Sequence, residues 1–218
     1  MAEIRWFGHG CFRIRAKEAT VITDPVARSS GYVLPKQTAD IVTLSHEHKG
    51  HNNLAAIKTG YQIISGPGEY EMHDVSLIGV RTFHDDKKGT VHGRNTFFVI
   101  EVEGLRFAHL GDLGHDLTEE QAEVLDNIDV LFIAAGGGNV LPPDRAAELV
   151  ARIAPKAVIP MQFQTETGDK NLATVESFCK QLGVEIPKTE AKLVIRPSDL
   201  KETMQLIILD PESEVATK

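Results

Sequence analysis

The segment SHEHKGH, residues 45–51, places His46, His48 and His51 inside six positions. Neutral imidazole nitrogens at that density suit a borderline cation such as Zn2+. His46 and His48 stand two apart at the end of an apolar run, so in an extended chain both rings point to one side. His51 follows where the chain turns and approaches the same place from another angle. Gly50, just before it, offers no side chain. Further donors sit at the ends of other apolar runs: His84 and Asp85 in TFHD, and His109, Asp112 and His115 in AHLGDLGH. Taken singly, a histidine is as readily a hydrogen-bonded core residue, and an aspartate after a strand a turn or cap residue. Together they make the nitrogen and oxygen set that Zn2+, Mn2+ or Fe2+ requires.

The elements that must position these residues read as strands first. EIRWFG (3–8), CFRIRA (11–16) and ATVITD (19–24) alternate in part with period two, and ADIVTLS (39–45) is a buried-strand run leading into the histidines. NNLAAIKTG (52–60) reads as a short helix stopped at Gly60, followed by strand YQIIS (61–65). SLIGVRTFH (76–84) and TFFVIEVEGLRFAHLGD (96–112) read as further strands, with a turn at Gly104. Then the period changes. TEEQAEVL (118–125) opens with a Thr-x-x-Gln capping pattern, and PPDRAAELVARIA (142–154) is a helix with prolines at its start. DVLFIAA (129–135), KAVIPM (156–161), LVIR (193–196) and MQLIILD (204–210) read as strands, LATVESFCKQL (172–182) as a helix, and the polar tail 211–218 as a frayed end. Strands first, then alternating helices and strands, predict an α/β sandwich with helices outside two sheets.

Composition narrows the functional classes. The 218 residues are 42% hydrophobic and 25% charged, ordinary globular usage with ample material for a core. A net charge of -8 argues against a broad nucleic-acid footprint, and Lys87-Lys88 reads as a solvated loop. No run approaches the ~20 apolar residues of a membrane helix. Glu3 and Arg5 stand where a signal peptide would place apolar residues, so a cytoplasmic protein is expected. Cys11 and Cys179 lie far apart outside any C-x-x-C, so both are expected as reduced thiols.

The ordered series ITDP, SHEHKGH, FHD, HLGDLGH and IPMQFQT, with WFGHGCF at the start, resembles the metallo-β-lactamase superfamily. Within it, the series is similar to the bacterial and archaeal metal-dependent hydrolases related to L-ascorbate-6-phosphate lactonase. The resemblance spans nearly the whole chain. It implies one domain over 1–218, an α/β fold in which two mixed β-sheets flanked by helices form an αββα sandwich, and a metal site at one edge between the sheets. It also implies that residues matching His46, His48 and His84 hold one ion, and that those matching Gly50, His51 and Gln162 hold a second. Asp112 would bridge both. The family's aspartate falls on Gly50 and its last histidine on Gln162, so both departures touch the second ion. Losing a carboxylate and an imidazole leaves His51, a share of Asp112 and a weak amide donor, so one ion per chain is expected, Zn2+ first, with Mn2+ or Fe2+ as alternatives.

The function expected is a metal-dependent hydrolase of a small-molecule ester, lactone or phosphodiester. Asp112 and His51 are the expected catalytic groups, and Gln162 and His115 the expected substrate contacts. His9 is expected behind the ligands. The alternative is a non-catalytic metal- or ligand-binding protein of the same fold; the presence together of His46, His48, His84 and Asp112 favours a functional metal under either reading. The expected partner is a small molecule, with no nucleic acid and no membrane; a homo-oligomer is left open.

Overall fold

Alternating apolar side chains in the N-terminal third form β1 (Ala2–Trp6), β2 (Phe12–Arg15) and β3 (Thr20–Thr23), joined by β4 (Ile41–Thr43) and β5 (Gln62–Ile64). The chain continues through β6 (Gly68–Met72), β7 (Val75–Phe83), β8 (Arg94–Val102) and β9 (Leu105–His109). The alternating part supplies α1 (Glu119–Glu123), β10 (Val130–Ala134), α2 (Pro143–Ile153), β11 (Ala157–Met161), α3 (Val175–Leu182), β12 (Leu193–Ile195) and β13 (Gln205–Leu206). This computed structural model describes residues 1–212, so the tail expected to fray lies outside the described residues from position 213 onward.

One sheet has the order β12-β1-β2-β3-β4-β5 and the other β13-β11-β10-β9-β8-β7-β6. Both are mixed: β3, β4 and β5 run parallel, as do β9, β10, β11 and β13, while the other pairs are antiparallel. Period two decides what each strand buries. Phe12, Ile14, Val21 and Ile41 of the first sheet face Phe98, Ile100, Phe107 and Phe132 of the second, forming the inner core. Phe12 and Phe132 meet at 4.3 Å between ring centroids. Burying each such ring contributes about 1.5–3 kcal/mol. The opposite face of the second sheet (Phe97, Val99, Leu131, Ile133) is covered by Ala146, Leu149 and Val150 of α2 and Phe178 of α3.

The outer face of the first sheet has a thinner cover. Ile22 and Val42 pack under Phe7, Val26, Tyr32, Leu34, Ala56 and Ile57, from a segment whose helical content is two single 3-10 turns. Here the expected helix at 52–60 is corrected: only Leu54–Ala56 turns helically. β-branched Ile57 instead extends to bridge Gln37, and Lys58 N–H bonds the Gln37 carbonyl at 2.9 Å. Strand β6 was not expected, because as an edge strand with largely exposed side chains it carries no apolar pattern. The capping box at Thr118 and Gln121 is present as the sequence predicts.

Candidate metal centre

Strand polarity explains why distant residues meet. β1 and β3 both run antiparallel to β2, and β4 runs parallel to β3. In the other sheet β7 and β9 both run antiparallel to β8, with β10 and β11 parallel to β9. The C-terminal ends of β1, β3 and β4 therefore lie at one edge of the first sheet, and those of β7, β9, β10 and β11 at one edge of the second. Directly past them come His9, Asp24, His46, His48 and His51 from one side and His84, Asp112 and Gln162 from the other.

Asp112 is the hub. Its Oδ2 lies 3.0 Å from His84 Nε2, 3.3 Å from His51 Nε2 and 3.6 Å from His46 Nε2. Its Oδ1 accepts from Gln162 Nε2 at 2.6 Å, and its own backbone N–H donates to Asn95 Oδ1 at 3.0 Å. His46, His48 and His84, the residues the resemblance assigns to a first ion, each bring a ring nitrogen within 4.8 Å of the others. A second group at the same spacing was not expected: His9, His51 and Asp112. His48 is exposed and forms the rim, whereas His46, His51, His84, Asp112 and Gln162 are buried.

The rings are held in the tautomers a cation needs. Ser45 Oγ donates to Asp24 Oδ2 at 2.5 Å and receives His46 Nδ1–H at 2.8 Å. Asp24 Oδ2 also takes His51 Nδ1–H at 3.0 Å, and Asn139 O takes His84 Nδ1–H at 3.1 Å. Each bond on Nδ1 leaves Nε2 facing Asp112. His46 Nε2 is buried with no hydrogen-bond partner among the described residues, an orphan that a divalent cation would satisfy. By that test the residues present fit a divalent cation.

Electrostatics separates the histidines. Burial pushes His46 down to about 4, so it stays neutral at pH 7. Burial, then the neighbouring His51, pushes His9 down to about 4 as well. Burial also opposes charge on His51, yet Asp112 and Asp24 on its two sides hold it up to about 10. Asp112 stays well below the usual carboxylate range despite burial, because His51, His84 and His46 surround it. Without a cation His51 thus carries a proton between Asp112 and Asp24, which only an ion taking His51 as a ligand must displace.

Three candidates take other roles. His115 does not reach the cavity: its Nε2 accepts the Phe83 N–H at 3.0 Å and its Nδ1 donates to Asp116 O at 2.7 Å, which corrects the expected substrate contact. Asp85 closes the loop after β7, accepting the N–H groups of Lys87, Gly89, Val91 and His92; these four bonds hold its carboxyl at about 2 against the upward push of burial. His109 is a core residue that donates Nε2–H to Gly10 O at 2.9 Å across the two sheets. Gln162 lines the cavity, and its amide is committed to Asp112, so it orients that carboxylate. Cys11 and Cys179 are free, buried thiols, and neither belongs to a candidate metal-holding group among the described residues. Sequence reasoning missed Asp24, Ser45 and Asn95. An asparagine inside an apolar strand was the available signal for Asn95; Asp24 and Ser45 show their role only once β3 and β4 pair.

The centre opens into a cavity of about 610 Å³, within the usual size of a small-molecule site. Tyr32, Gly137, Asn139, Phe163 and Thr167 line it, and Tyr32 Oη bonds Thr165 Oγ1 at 2.6 Å to tie its two walls together. None of the described residues lining it is Lys or Arg. No described helix is long and apolar enough to cross a membrane.

Comparison with known proteins agrees with this geometry. Residues 3–162 match the beta-lactamase superfamily domain. A UPF0173 metal-dependent hydrolase of Thermococcus onnurineus is 26% identical, covering 93% of this chain and 100% of that protein. A counterpart from Lysinibacillus sphaericus is 25% identical over 75% of this chain and 86% of its own length. A crystal structure from Thermotoga maritima, described as a candidate Zn-dependent hydrolase of the metallo-beta-lactamase superfamily, is 34% identical with a TM-score of 0.78, covering 96% of this chain and 100% of that one. A metallo hydrolase from Ignicoccus hospitalis, at 18% identity and a TM-score of 0.65 over 89% of this chain and 99% of that one, shares the fold. With the family match spanning most of its length and its two mixed sheets flanked by helices, the chain belongs to the metallo-β-lactamase superfamily, and its relatives are named metal-dependent hydrolases.

Proposed function

We propose that the protein is a metal-dependent hydrolase of a small, uncharged ester or lactone. The observation that carries this reading is the convergence of His46, His48 and His84, with Asp112 Oδ2 3.0 Å from His84 Nε2 and 3.6 Å from His46 Nε2, and the buried His46 Nε2 left without a partner. Bound there, a divalent cation (Zn2+ first, Mn2+ or Fe2+ with the same donors) supplies Lewis-acid polarisation and acidifies water to give a nucleophile near neutral pH.

The chain's own residues supply the rest. Asp112 Oδ2 faces the reacting space, orients the attacking water and accepts its proton. Gln162 Nε2 fixes the rotation of that carboxylate through Oδ1. With only the first position loaded, His51 keeps its proton and donates from Nε2 to the charge developing on the substrate oxygen. The Tyr32–Thr165 contact keeps the cavity small.

Opening a lactone is the chemistry shared with L-ascorbate-6-phosphate lactonase. A phosphate, however, would find no Lys or Arg among the described residues of the cavity wall. That favours an uncharged carbonyl substrate over a phosphodiester or a phosphorylated lactone. The test is hydrolysis of simple γ- and δ-lactones, aryl esters and bis-aryl phosphodiesters, before and after stripping with a chelator and reloading with Zn2+ or Mn2+. Metal-dependent turnover of lactones or esters ahead of phosphodiesters is expected. A fully loaded protein that hydrolyses none of them, or prefers the phosphodiesters, overturns the reading.

A further inference from the structure

We propose that His9 is a ligand of a second cation position, with His51 and Asp112, in the space that a side chain at position 50 would otherwise fill. The proposal rests on the metal-dependent reading above and revises the expectation of one ion per chain.

The three residues each offer a ligand atom within 4.8 Å of the other two. The group is distinct from His46, His48 and His84, and Asp112 Oδ2 stands between the two, 3.3 Å from His51 Nε2 and 3.0 Å from His84 Nε2. Two neutral nitrogens and one carboxylate leave open positions for water or substrate and suit the same cations as the first position.

Gly50 explains how the imidazole gets there. Its φ lies outside the left-handed region, so the backbone does not require glycine. Space does: a Cβ would sit 2.7 Å from Ser30 Oγ and 3.3 Å from His9 Nε2. The missing side chain and the inserted ring are therefore two halves of one exchange, a carboxylate position given up and an imidazole supplied from the β1–β2 turn. That turn is built to aim the ring. His9 holds φ at 51°, a left-handed conformation rare outside glycine, and its carbonyl is pinned by the Trp6 indole N–H at 2.9 Å. Gly8 before it, at φ 93°, lies so close to Tyr32 that a Cβ would stand 2.2 Å from that ring.

The second position is the weaker one. It shares Asp112 with the first, and Gln162 Nε2 occupies the other oxygen of that carboxylate. Co2+ titration of stripped protein, followed by calorimetry and visible absorption, should therefore show two unequal sites in the wild type. His48→Ala should lose the tight site. His9→Asn, which tolerates the left-handed turn, should lose the weak site by more than the roughly 10–100-fold typical of residues behind a ligand, and keep the tight one. In that background Gly50→Asp should restore the weak site by placing a carboxylate in the vacated volume. Independently of any variant, the second equivalent of Co2+ should move the His9 ring protons into the paramagnetically shifted range of the proton spectrum. His9 protons unmoved by that equivalent, or His9→Asn with both affinities unchanged, overturns the proposal. So does a wild type that saturates with the one ion lost in His48→Ala, an outcome that leaves the first position standing. Binding of no ion at all overturns both.

Discussion

Asp24→Asn tests the logic by which the centre is kept ready for a cation. Asp24 is 1% exposed and accepts Ser45 N–H at 2.7 Å on Oδ1, and Ser45 Oγ at 2.5 Å and His51 Nδ1 at 3.0 Å on Oδ2. Asparagine keeps the shape and the first bond, but puts a donor where Oδ2 was. Ser45 must then accept from the amide and turn its own hydrogen to His46 Nδ1, which moves the His46 proton to Nε2. The His46 lone pair that faced Asp112 becomes an N–H group, while His51 loses one of the two carboxylates that hold its proton. To take up a cation the His46 ring must revert and forfeit one hydrogen bond, about 1–1.5 kcal/mol. That is about tenfold in affinity. Loss of a buried negative charge near the ion adds to this, so the expected weakening at the first position is about 10–100-fold. Zn2+ competition against a chromophoric chelator reads it directly, with thermal melting to confirm the fold. Ser45→Ala cuts only the His46 arm and should weaken binding less. An Asp24→Asn protein that folds and binds Zn2+ like the wild type refutes the tautomer argument.

Other outcomes follow from the same geometry. His48→Ala should abolish metal retention through purification, whereas Cys11→Ala and Cys179→Ala should retain it, by elemental analysis. Cys11 is buried, and burial pushes its thiol up to about 12, so it should react with an alkylating probe only on unfolding. Gly50→Asp alone should lower the melting temperature, since its Cβ meets Ser30 Oγ at 2.7 Å; overpacking of this kind costs about 1–3 kcal/mol, and Ser30→Ala should recover part of it. Glu3 is held down at about 2 by Lys192 and then Arg5, from an ordinary 4.5. Its folded value lies below its unfolded one, so its contribution is present above pH 4.5 and is lost as pH falls toward 2. Glu3→Gln should therefore flatten that part of the acid limb in urea melts, and an unchanged limb would count against it.

Most of the sandwich could be read in the sequence because each strand buries a face, and burial writes itself as period two or as a continuous apolar run. Where nothing is buried the signal vanishes, as in β6, and where an apolar stretch is short the choice of helix or strand falls to tertiary pairing, as Ile57 with Gln37 shows. The centre divides in the same way. His46, His48, His51, His84 and Asp112 were visible as residue types at strand ends, whereas Gln162 came only from the family resemblance. His115 and Asp85 carry the same local signature and turn out to bond backbone, because sequence spacing does not say which way a side chain at a turn points. His9 and Asp24 were undervalued for the opposite reason. Their roles come from left-handed backbone turns, φ 51° and 37°, and from neighbours far away in the chain.

The placement of donors on both sheets has a mechanical consequence. His9, His46, His48 and His51 follow strands of one sheet; His84 and Asp112 follow strands of the other. A cation held among them is a rivet across the open end of the sandwich; at the far end Glu103, in the β8–β9 turn, accepts from the Lys17 N–H at 2.9 Å and pairs with the Met1 amino group. Any ion that binds only the closed arrangement stabilises it by RT ln(1 + [ion]/Kd), about 2.7 kcal/mol at a hundredfold excess over Kd. Breathing of the two layers should then be hinged: slow amide exchange throughout when loaded, and exchange at the C-terminal ends of β4, β7 and β9 that tracks free metal concentration when not.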